Sequence, residues 1–383
     1  MTVGRSDYGI YLPILRAVAA APDLDLHLIV SGTHLSPEFG TTVREIEADG
    51  FTVGARVEML VSSDSPAGIA KSIGLGVIGF AQAYVQCRPD IVVVLGDRFE
   101  MHAAVLAALP FCLPVAHIHG GELTQGAMDD ALRHSMTKLS HLHFVSTDEY
   151  ARRVAQLGEE PWRILVTGAP ALDNLRTVSL MSPTELHARF GVTMVPPPVL
   201  VTFHPVTLEH DQVEWQVGQL LLALDEAGLP VLFTQPNADP GGRCISELID
   251  HYVQAHPSSA RVDNLGTRGY FSVMALAAAM VGNSSSGLIE APSFGLPVVN
   301  IGNRQLGRAR GGNVIDVGYT QAEVLDGIRR ATQPAFRDAL RDRPNPYGDG
   351  RASGMIVERL RTVALDSTLR IKRFQDLCAR TES

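Results

Sequence analysis

Residues 114–146, P-V-A-H-I-H-G-G-E-L-T-Q-G-A-M-D-D-A-L-R-H-S-M-T-K-L-S-H-L-H-F-V-S, decide how the rest of the chain is read. The apolar run Pro114–Ile118 reads as a strand, the polar stretch after it as a loop, Asp129–Leu142 as a helix and His143–Ser146 as a second strand. Strand, helix and strand at this spacing make one βαβ unit, whose crossover implies parallel pairing. Five of the thirteen histidines fall between His117 and His143, together with Glu122, Asp129, Asp130, Arg133 and Lys138. Ligands of open parallel sheets bind just outside the carboxyl ends of the strands. A titratable cluster at such an end is a candidate site; the competing reading is a solvated loop ahead of an ordinary amphipathic helix.

The same alternation extends both ways. Leu24–Ser31, Val57–Val61, Ile91–Leu95 and Ile164–Thr167 read as strands. Leu12–Ala21 (with Pro13 in its first turn), a short segment closing at Glu45–Gly50, Ala67–Cys87, Met101–Leu109 and Thr147–Leu157 read as helices. Residues 180–198, ending in three prolines, look like a linker, and alternation resumes with the strand Val199–Phe203. Helices Val213–Ala227, Arg243–His256, Tyr270–Ala279 and Ser285–Phe294 then interleave with strands at Val231–Thr234, Arg261–Val262, Met280–Gly282 and Val298–Ile301. The expected architecture is α/β, with two doubly wound parallel-sheet domains around a cleft. The domains are expected at 1–175 and 176–383, with a helical tail after Thr320 that packs back on the first. Met1-Thr2-Val3 supplies only about two residues of a first strand before the polar segment Gly4–Gly9, so that strand is either very short or clipped relative to its relatives.

Composition narrows the function. The chain has 383 residues, 45% of them hydrophobic and 19% charged, as in a globular protein. A net charge of −9 without a concentrated basic face argues against a nucleic-acid partner. Cys87, Cys112, Cys244 and Cys378 lie far apart with no CxxC pair, which suits thiols of a reducing compartment better than a disulfide frame or a zinc site. No run reaches the ~18 uninterrupted apolar residues of a membrane span, and the N-terminus lacks the basic-then-apolar order of a signal peptide. A cytoplasmic protein with no membrane partner is expected.

Several motifs carry chemistry. Gly74-Leu-Gly-Val-Ile-Gly79 fits the dinucleotide fingerprint G-x-G-x-x-G, but it lies inside a helical pattern and reads as close helix packing. Val92–Arg98 is a buried-type strand ending in Gly96-Asp97-Arg98, an acid and a base at a strand mouth. His117 and His119 share one face if the strand continues that far; with Glu122 or Asp129 nearby a metal is conceivable, although none is expected. Asp129 and Asp130 open a helix, where one can cap it, and Asp129–Arg133 and Asp130–His134 are i,i+4 pairs that can simply brace it. His204 ends a strand of the second half as Asp97 ends one of the first, with a structural and a functional reading both open. Gly282-Asn283-Ser284-Ser285-Ser286-Gly287 joins a strand to a helix, and its N–H groups and hydroxyls suit a diphosphate or a plain helix cap. Glu290 could take ribose hydroxyls, and the glycine-rich loop 302–312 carries Arg304, Arg308 and Arg310 for anions.

Taken together, G-R-S-D-Y-G (4–9), L-G-D-R-F-E (95–100), H-I-H-G-G-E (117–122), D-D-A-L-R-H-S-M-T-K-L-S-H-L-H (129–143), F-H-P (203–205), G-N-S-S-S-G-L-I-E (282–290) and N-I-G-N-R-Q-L-G-R-A-R-G (300–311) resemble the hydrolysing UDP-N-acetylglucosamine 2-epimerases, above all the branch feeding sialic and legionaminic acid synthesis. The resemblance spans nearly the whole chain. It implies the GT-B fold, a homodimer, no cofactor, and conversion of a UDP-2-acetamido sugar to UDP and the free 2-epimer by elimination to a glycal and hydration. Both UDP-N-acetylglucosamine and UDP-2,4-diacetamido-2,4,6-trideoxyglucose fit. A GT-B glycosyltransferase with a UDP-sugar donor and a non-catalytic nucleotide-sugar sensor are the alternatives. The resemblance assigns Asp97, Asp129 and His204 to catalysis with Arg133 beside them, and Arg5, Arg98, Asn283, Ser284, Ser285, Ser286, Glu290 and Arg304 to the nucleotide sugar. Much of the wider family has a glutamate where His119 stands. Glu122, three residues on, is expected to do that glutamate's catalytic work, with His119 as a substrate-binding neighbour.

Overall fold

Near-continuous runs of branched apolar residues are what strands buried on both faces require. In the computed structural model, which describes residues 1–61, 63, 65–124, 128–236 and 242–376, the strand pairs are parallel throughout. The chain forms two units, one of Met1–Glu122, Met128–Asp173 and Tyr347–Ser383, the other of Leu123–Ala127 and Asn174–Pro346.

The first unit runs α1 (Arg5–Ala20), β1 (Leu28–Ser31), α2 (Val43–Ala48), β2 (Val53–Val57), α3 (Pro66–Cys87), β3 (Val92–Leu95), α4 (Phe99–Ala108), β4 (Val115–Ile118), α5 (Met128–Leu139), β5 (Leu142–Val145), α6 (Asp148–Gln156) and β6 (Ile164–Val166). β1 pairs with β2, and β3-β4-β5-β6 form a second sheet in sequence order. Thr2 bridges Val30 in parallel, while the Met1 ammonium donates to the Val93 carbonyl at 3.3 Å. The first residues therefore reach both sheets, by one isolated bridge to β1 and one hydrogen bond to β3. Burial lowers the ammonium's pKa to about 6.

Gly4–Gly9 is not a loop, contrary to the sequence pattern. Gly4 caps α1, and the buried Asp7 carboxylate accepts the N–H groups of Val3 and Gly4 at 2.9 and 2.6 Å. Pro13 consequently lies inside the helix and not in its first turn. The strand expected at Val57–Val61 lies earlier, at Val53–Val57. Two of the three fingerprint glycines in α3, Gly76 and Gly79, are packing residues, whereas Gly74 faces open space. A Cβ on Gly76 would lie 2.6 Å from Met59 Cε and 2.9 Å from Ala103 Cβ, and one on Gly79 would lie 2.6 Å from Val57 Cγ1. Among the described residues α3 is the one helix long and apolar enough to cross a membrane by length and composition; here it packs on α4 and β2.

The second unit contains α7 (Asn174–Thr177), α8 (Pro183–Phe190), β7 (Val199–Thr202), α9 (Val213–Ala227), β8 (Val231–Thr234), α10 (Gly242–Ala255), β9 (Ala260–Val262), α11 (Gly266–Leu276), β10 (Ala279–Gly282), α12 (Ser286–Ile289), β11 (Val298–Ile301), β12 (Val314–Val317), α13 (Gln321–Ala331) and α14 (Pro334–Asp338). Its sheet order is β12-β11-β10-β7-β8-β9. The apparent linker 180–198 is part of this unit's core. Ser182 and Glu185 form a capping box for α8, and Met181, Leu186, Val192 and Met194 pack with Phe271 and Met274. The helix expected at Ser285–Phe294 is only α12 followed by a 3-10 turn at Ala291–Phe294 containing Pro292.

The chain then returns to the first unit with α15 (Ala352–Thr362) and α16 (Ser367–Arg370). The division falls at Asp173, and residues from Tyr347 onward group with the first unit. Asp173 accepts the N–H groups of Ala352 and Ser353 at the start of α15. The fully buried Arg163 donates to the carbonyls of Thr368, Leu369 and Ile371. Cys378 lies outside the described residues; Cys87, Cys112 and Cys244 are free thiols.

Candidate active site

In the first unit the carboxyl ends of β3, β4 and β5 converge. β3 stops at Leu95, Gly96 turns at φ 76°, and Asp97 and Arg98 follow before α4. β4 stops at Ile118, so His117 and His119 do not share a face as an extended strand would have it. His117 is buried, with Nε2 2.8 Å from the Gly96 carbonyl and Nδ1 3.2 Å from Thr137 Oγ1. Burial lowers its pKa to about 3, so it is a neutral structural imidazole. His119 instead adopts φ 65°, a conformation that costs a side-chain-bearing residue about 1–3 kcal/mol. Its N–H donates to the Phe144 carbonyl at 3.0 Å.

Arg133, buried on α5, ties the ends together. Nη2 donates to Asp97 Oδ2, Nη1 donates to the His119 carbonyl at 2.8 Å, and Nη1 lies 3.7 Å from Glu122 Oε2. It is thus more than the helix brace that its spacing from Asp129 suggested. Glu122 Oε1 is 2.5 Å from His119 Nδ1, and Ser146, just past β5, places Oγ 3.0 Å from that nitrogen and 3.3 Å from the carboxylate. Asp129 has its pKa raised to about 6, by burial and then by the charge of Asp97. Asp130 lies 3.6 Å from His134, the pairing its i,i+4 spacing gives. Arg98 is aimed by the buried Glu100, to which Nε and Nη2 donate at 3.3 and 3.2 Å, and that pairing raises its pKa. Arg5 is exposed in the first turn of α1.

In the second unit His204 follows β7, buried, with a pKa lowered to about 3 by burial and then by Arg304. Its N–H donates to Asn283 Oδ1 at 2.7 Å, and its carbonyl accepts from Asn283 Nδ2 at 2.8 Å. Asn283 is fully buried with both amide ends engaged, so it braces the His204 backbone. Arg304 and Gln305 both donate to the Asn283 carbonyl, at 3.2 and 2.9 Å. Ser284 and Ser286 share a hydroxyl hydrogen bond of 2.8 Å, and Tyr270 holds Ser286 at 2.7 Å. Ser284, Ser285, Ser286, Glu290 and Arg304 are all half-buried, open on one side. A Cβ on Gly282 would lie 2.0 Å from the Thr202 carbonyl, so this turn needs glycine.

The structure therefore brings Asp97, His119, Glu122 and Arg133 into direct contact in one unit, with Asp129 close enough to feel Asp97 and Arg98. In the other it gathers His204, Asn283, the serines and Arg304. Ser146, Tyr270 and Gln305 escape the sequence reading, although Ser146 lies just past a strand of the same sheet and Gln305 sits in the glycine-rich loop. The first set places carboxyl groups, among them Asp129 with its raised pKa, beside an imidazole, an arrangement that can hold and pass protons. The second presents hydroxyls and a guanidinium suited to phosphoryl oxygens.

Known proteins match along the chain. The family model described as UDP-N-acetylglucosamine 2-epimerase matches residues 16–361. A Legionella pneumophila protein named UDP-N,N'-diacetylbacillosamine 2-epimerase (hydrolyzing) is 36% identical over 370 residues, 96% of each chain. A Campylobacter jejuni protein named GDP/UDP-N,N'-diacetylbacillosamine 2-epimerase (hydrolyzing) is 38% identical over 314 residues, 82% of each. The crystal structure of a Neisseria meningitidis UDP-GlcNAc 2-epimerase bound to UDP-GlcNAc superposes with a TM-score of 0.81 at 18% identity, over 93% of this chain and 97% of that one.

Proposed function

The chain belongs to the UDP-N-acetylglucosamine 2-epimerase family, and on that footing we propose that it hydrolyses a UDP-2-acetamido sugar with inversion at C2. The proposed substrate is UDP-2,4-diacetamido-2,4,6-trideoxyglucose, because the relatives at 36% and 38% identity are named for that sugar. Relatives named for UDP-N-acetylglucosamine are 33% identical or less. The observation that carries the reading is the contact set Asp97–Arg133–Glu122–His119 beside the raised carboxyl of Asp129.

The proton at C2 is barely acidic, so departure of UDP must lead and its charge must be met. The proposal gives that task to Ser284, Ser285, Arg304, Arg98 and Arg5, and the ribose to Glu290. The C2–H bond breaks, its electron pair becomes the C1–C2 double bond, and UDP leaves with the C1–O pair. Water then adds its oxygen at C1, and C2 receives a proton on the opposite face. Asp97, Asp129 and His204 are proposed catalytic groups, with the His119–Glu122 pair beside them and Arg133 holding Asp97 and Glu122 in register. Burial keeps His204 neutral, a form that can accept a proton from water.

A cytoplasmic homodimer is part of the same proposal. Unpaired Cys87, Cys112 and Cys244 suit a reducing compartment. Exposed Leu75, Ile78 and Val85 on α3, with Leu106 on α4 and Leu109 and Phe111 just after it, supply apolar surface for a second copy. Incubation with each UDP-sugar in deuterated water tests the reaction. Free UDP and a manno-configured sugar deuterated at C2 are expected, faster from the diacetamido substrate; neither product from either sugar would end the proposal.

A further inference from the structure

Three contacts set the tautomer of His119. Nδ1 faces Glu122 at 2.5 Å and Ser146 at 3.0 Å, with Ser146 also 3.3 Å from the carboxylate. A carboxylate at that distance makes Nδ1 the protonated nitrogen and leaves the lone pair on Nε2. The side chain is 7% exposed, and Nε2 has no hydrogen-bond partner among the described residues. Two other buried imidazoles of this unit engage both nitrogens, His117 with Gly96 and Thr137, and His34 with Thr2 and Thr42. His102, His134 and His143 also leave one ring nitrogen without a partner, but these belong to α4, α5 and the middle of β5. His119 differs in lying at the carboxyl end of a strand, in direct contact with the acid cluster.

The backbone is held as firmly as the ring. The φ of 65° is maintained by the N–H bond to Phe144 and by Arg133 on the carbonyl. A strained, clamped residue whose buried Nε2 carries no hydrogen-bond partner is what a positioned base requires.

We infer that His119 Nε2 is the base that takes the C2 proton during elimination, and that Glu122 and Ser146 are positioning residues which hold the ring in that tautomer. The inference rests on the 2-epimerase reading above. The C2–H bond breaks and its proton moves to Nε2. The C–H electron pair forms the C1–C2 double bond, UDP carries off the C1–O pair, and the imidazolium is balanced by the Glu122 carboxylate. Asp129, whose pKa is raised to about 6 by burial and then by Asp97, is then the donor to C2 in hydration. The two residues that can replace the family glutamate thereby form one device: His119 does the proton transfer and Glu122 orients it.

Substitution by asparagine and by glycine separates the roles of the two nitrogens. His119→Asn keeps an amide near the Nδ1 position, able to hold Glu122, but has nothing at Nε2. His119→Gly suits the positive φ and leaves a ring-sized space for added imidazole. UDP release by H119N is expected to fall about 10²–10⁴-fold, with KM changed by less than about threefold and an unaltered thermal melt. H119G is expected to recover at least tenfold with added imidazole, the rate following the neutral imidazole fraction as pH rises. Glu122→Gln is expected to fall about 10–100-fold, with its acid limb displaced along the pH axis. H119N within about fivefold of the parent, or H119G indifferent to imidazole, overturns the inference. UDP release by H119N with glycal accumulation overturns the assignment to elimination. If the unaltered protein releases no UDP from either sugar, the 2-epimerase reading fails first and this inference falls with it.

Discussion

Asn283 brackets the peptide of His204: its side-chain oxygen accepts the His204 N–H at 2.7 Å and its side-chain nitrogen donates to the His204 carbonyl at 2.8 Å. β7 and β10 are hydrogen-bonded neighbours, so the residues just beyond their carboxyl ends meet, and the amide locks one loop to the other. Asn283→Ala leaves two buried backbone groups unpaired, each costing about 1–3 kcal/mol. A loss of roughly 2–4 kcal/mol in urea unfolding is expected, with UDP release reduced more than substrate affinity. Asn283→Asp keeps the acceptor, loses the donor and is expected to fall between. An alanine variant with unchanged stability and rate would refute the bracing role.

The tail is fastened through a buried carboxylate. Glu159 has a fully buried side chain within 2.7–3.0 Å of Lys138, His143 and Lys372. Burial pushes its pKa up, but the hydrogen bond from His143 and those of the two ammonium groups outweigh this and lower it to about 2. Burial lowers His143 in turn, so the lysine charges are the part of that effect that stands. A folded pKa below the ordinary 4.5 contributes stability that is present above about pH 4.5 and is lost as pH falls through about 2. Glu159→Gln should therefore cost roughly 3–5 kcal/mol at pH 7 and flatten the acid limb of a melting curve run from pH 7 to pH 2. An unaltered acid limb would contradict the assignment.

Arg163 performs the second half of that fastening, by donating to three carbonyls around α16. Arg163→Met keeps much of the packing and removes every donor. Limited proteolysis should then cut the tail after Thr362 at least tenfold faster than in the parent, while residues before Asp173 remain resistant. Equal cleavage rates would show that the tail is held by its apolar contacts alone.

Much of this was legible before any coordinates. Val213–Ala227, Val231–Thr234 and Val298–Ile301 are bounded as read, because apolar runs there stop at Gly228, Pro230 and Gly302. The carboxyl-end rule likewise pointed to Asp97, His119, Glu122 and His204. Hidden features depended on partners distant in sequence. Gly4–Gly9 looks like a loop until Asp7 is seen to hold the N–H groups at the start of α1, and Pro196–Pro198 look like the end of a linker although Val192 and Met194 are core. Arg133 also reaches Asp97, 36 positions away, a partner that helical periodicity does not offer. Asn283 reads as a phosphate ligand in a serine-rich turn because no local pattern reveals the peptide it holds.

Asp129 offers a test in which stability and chemistry move in opposite directions. Its pKa is raised from 3.8 to about 6, first by burial and then by Asp97. A carboxyl whose folded pKa exceeds the unfolded one stabilises fully below about pH 4, and that contribution is lost as pH rises through about 6. Asp129→Asn cannot ionise, so it should match the parent near pH 4 and exceed it at pH 8. The gain is on the order of 1–2 kcal/mol after allowing for partial solvent screening. The same variant lacks the proton that hydration delivers to C2, so it should release UDP while accumulating the glycal. Melts at pH 4, 6 and 8 with product analysis decide both points. A variant less stable than the parent at pH 8 would show that the Asp129 charge is compensated, and absence of glycal would remove Asp129 from the hydration step.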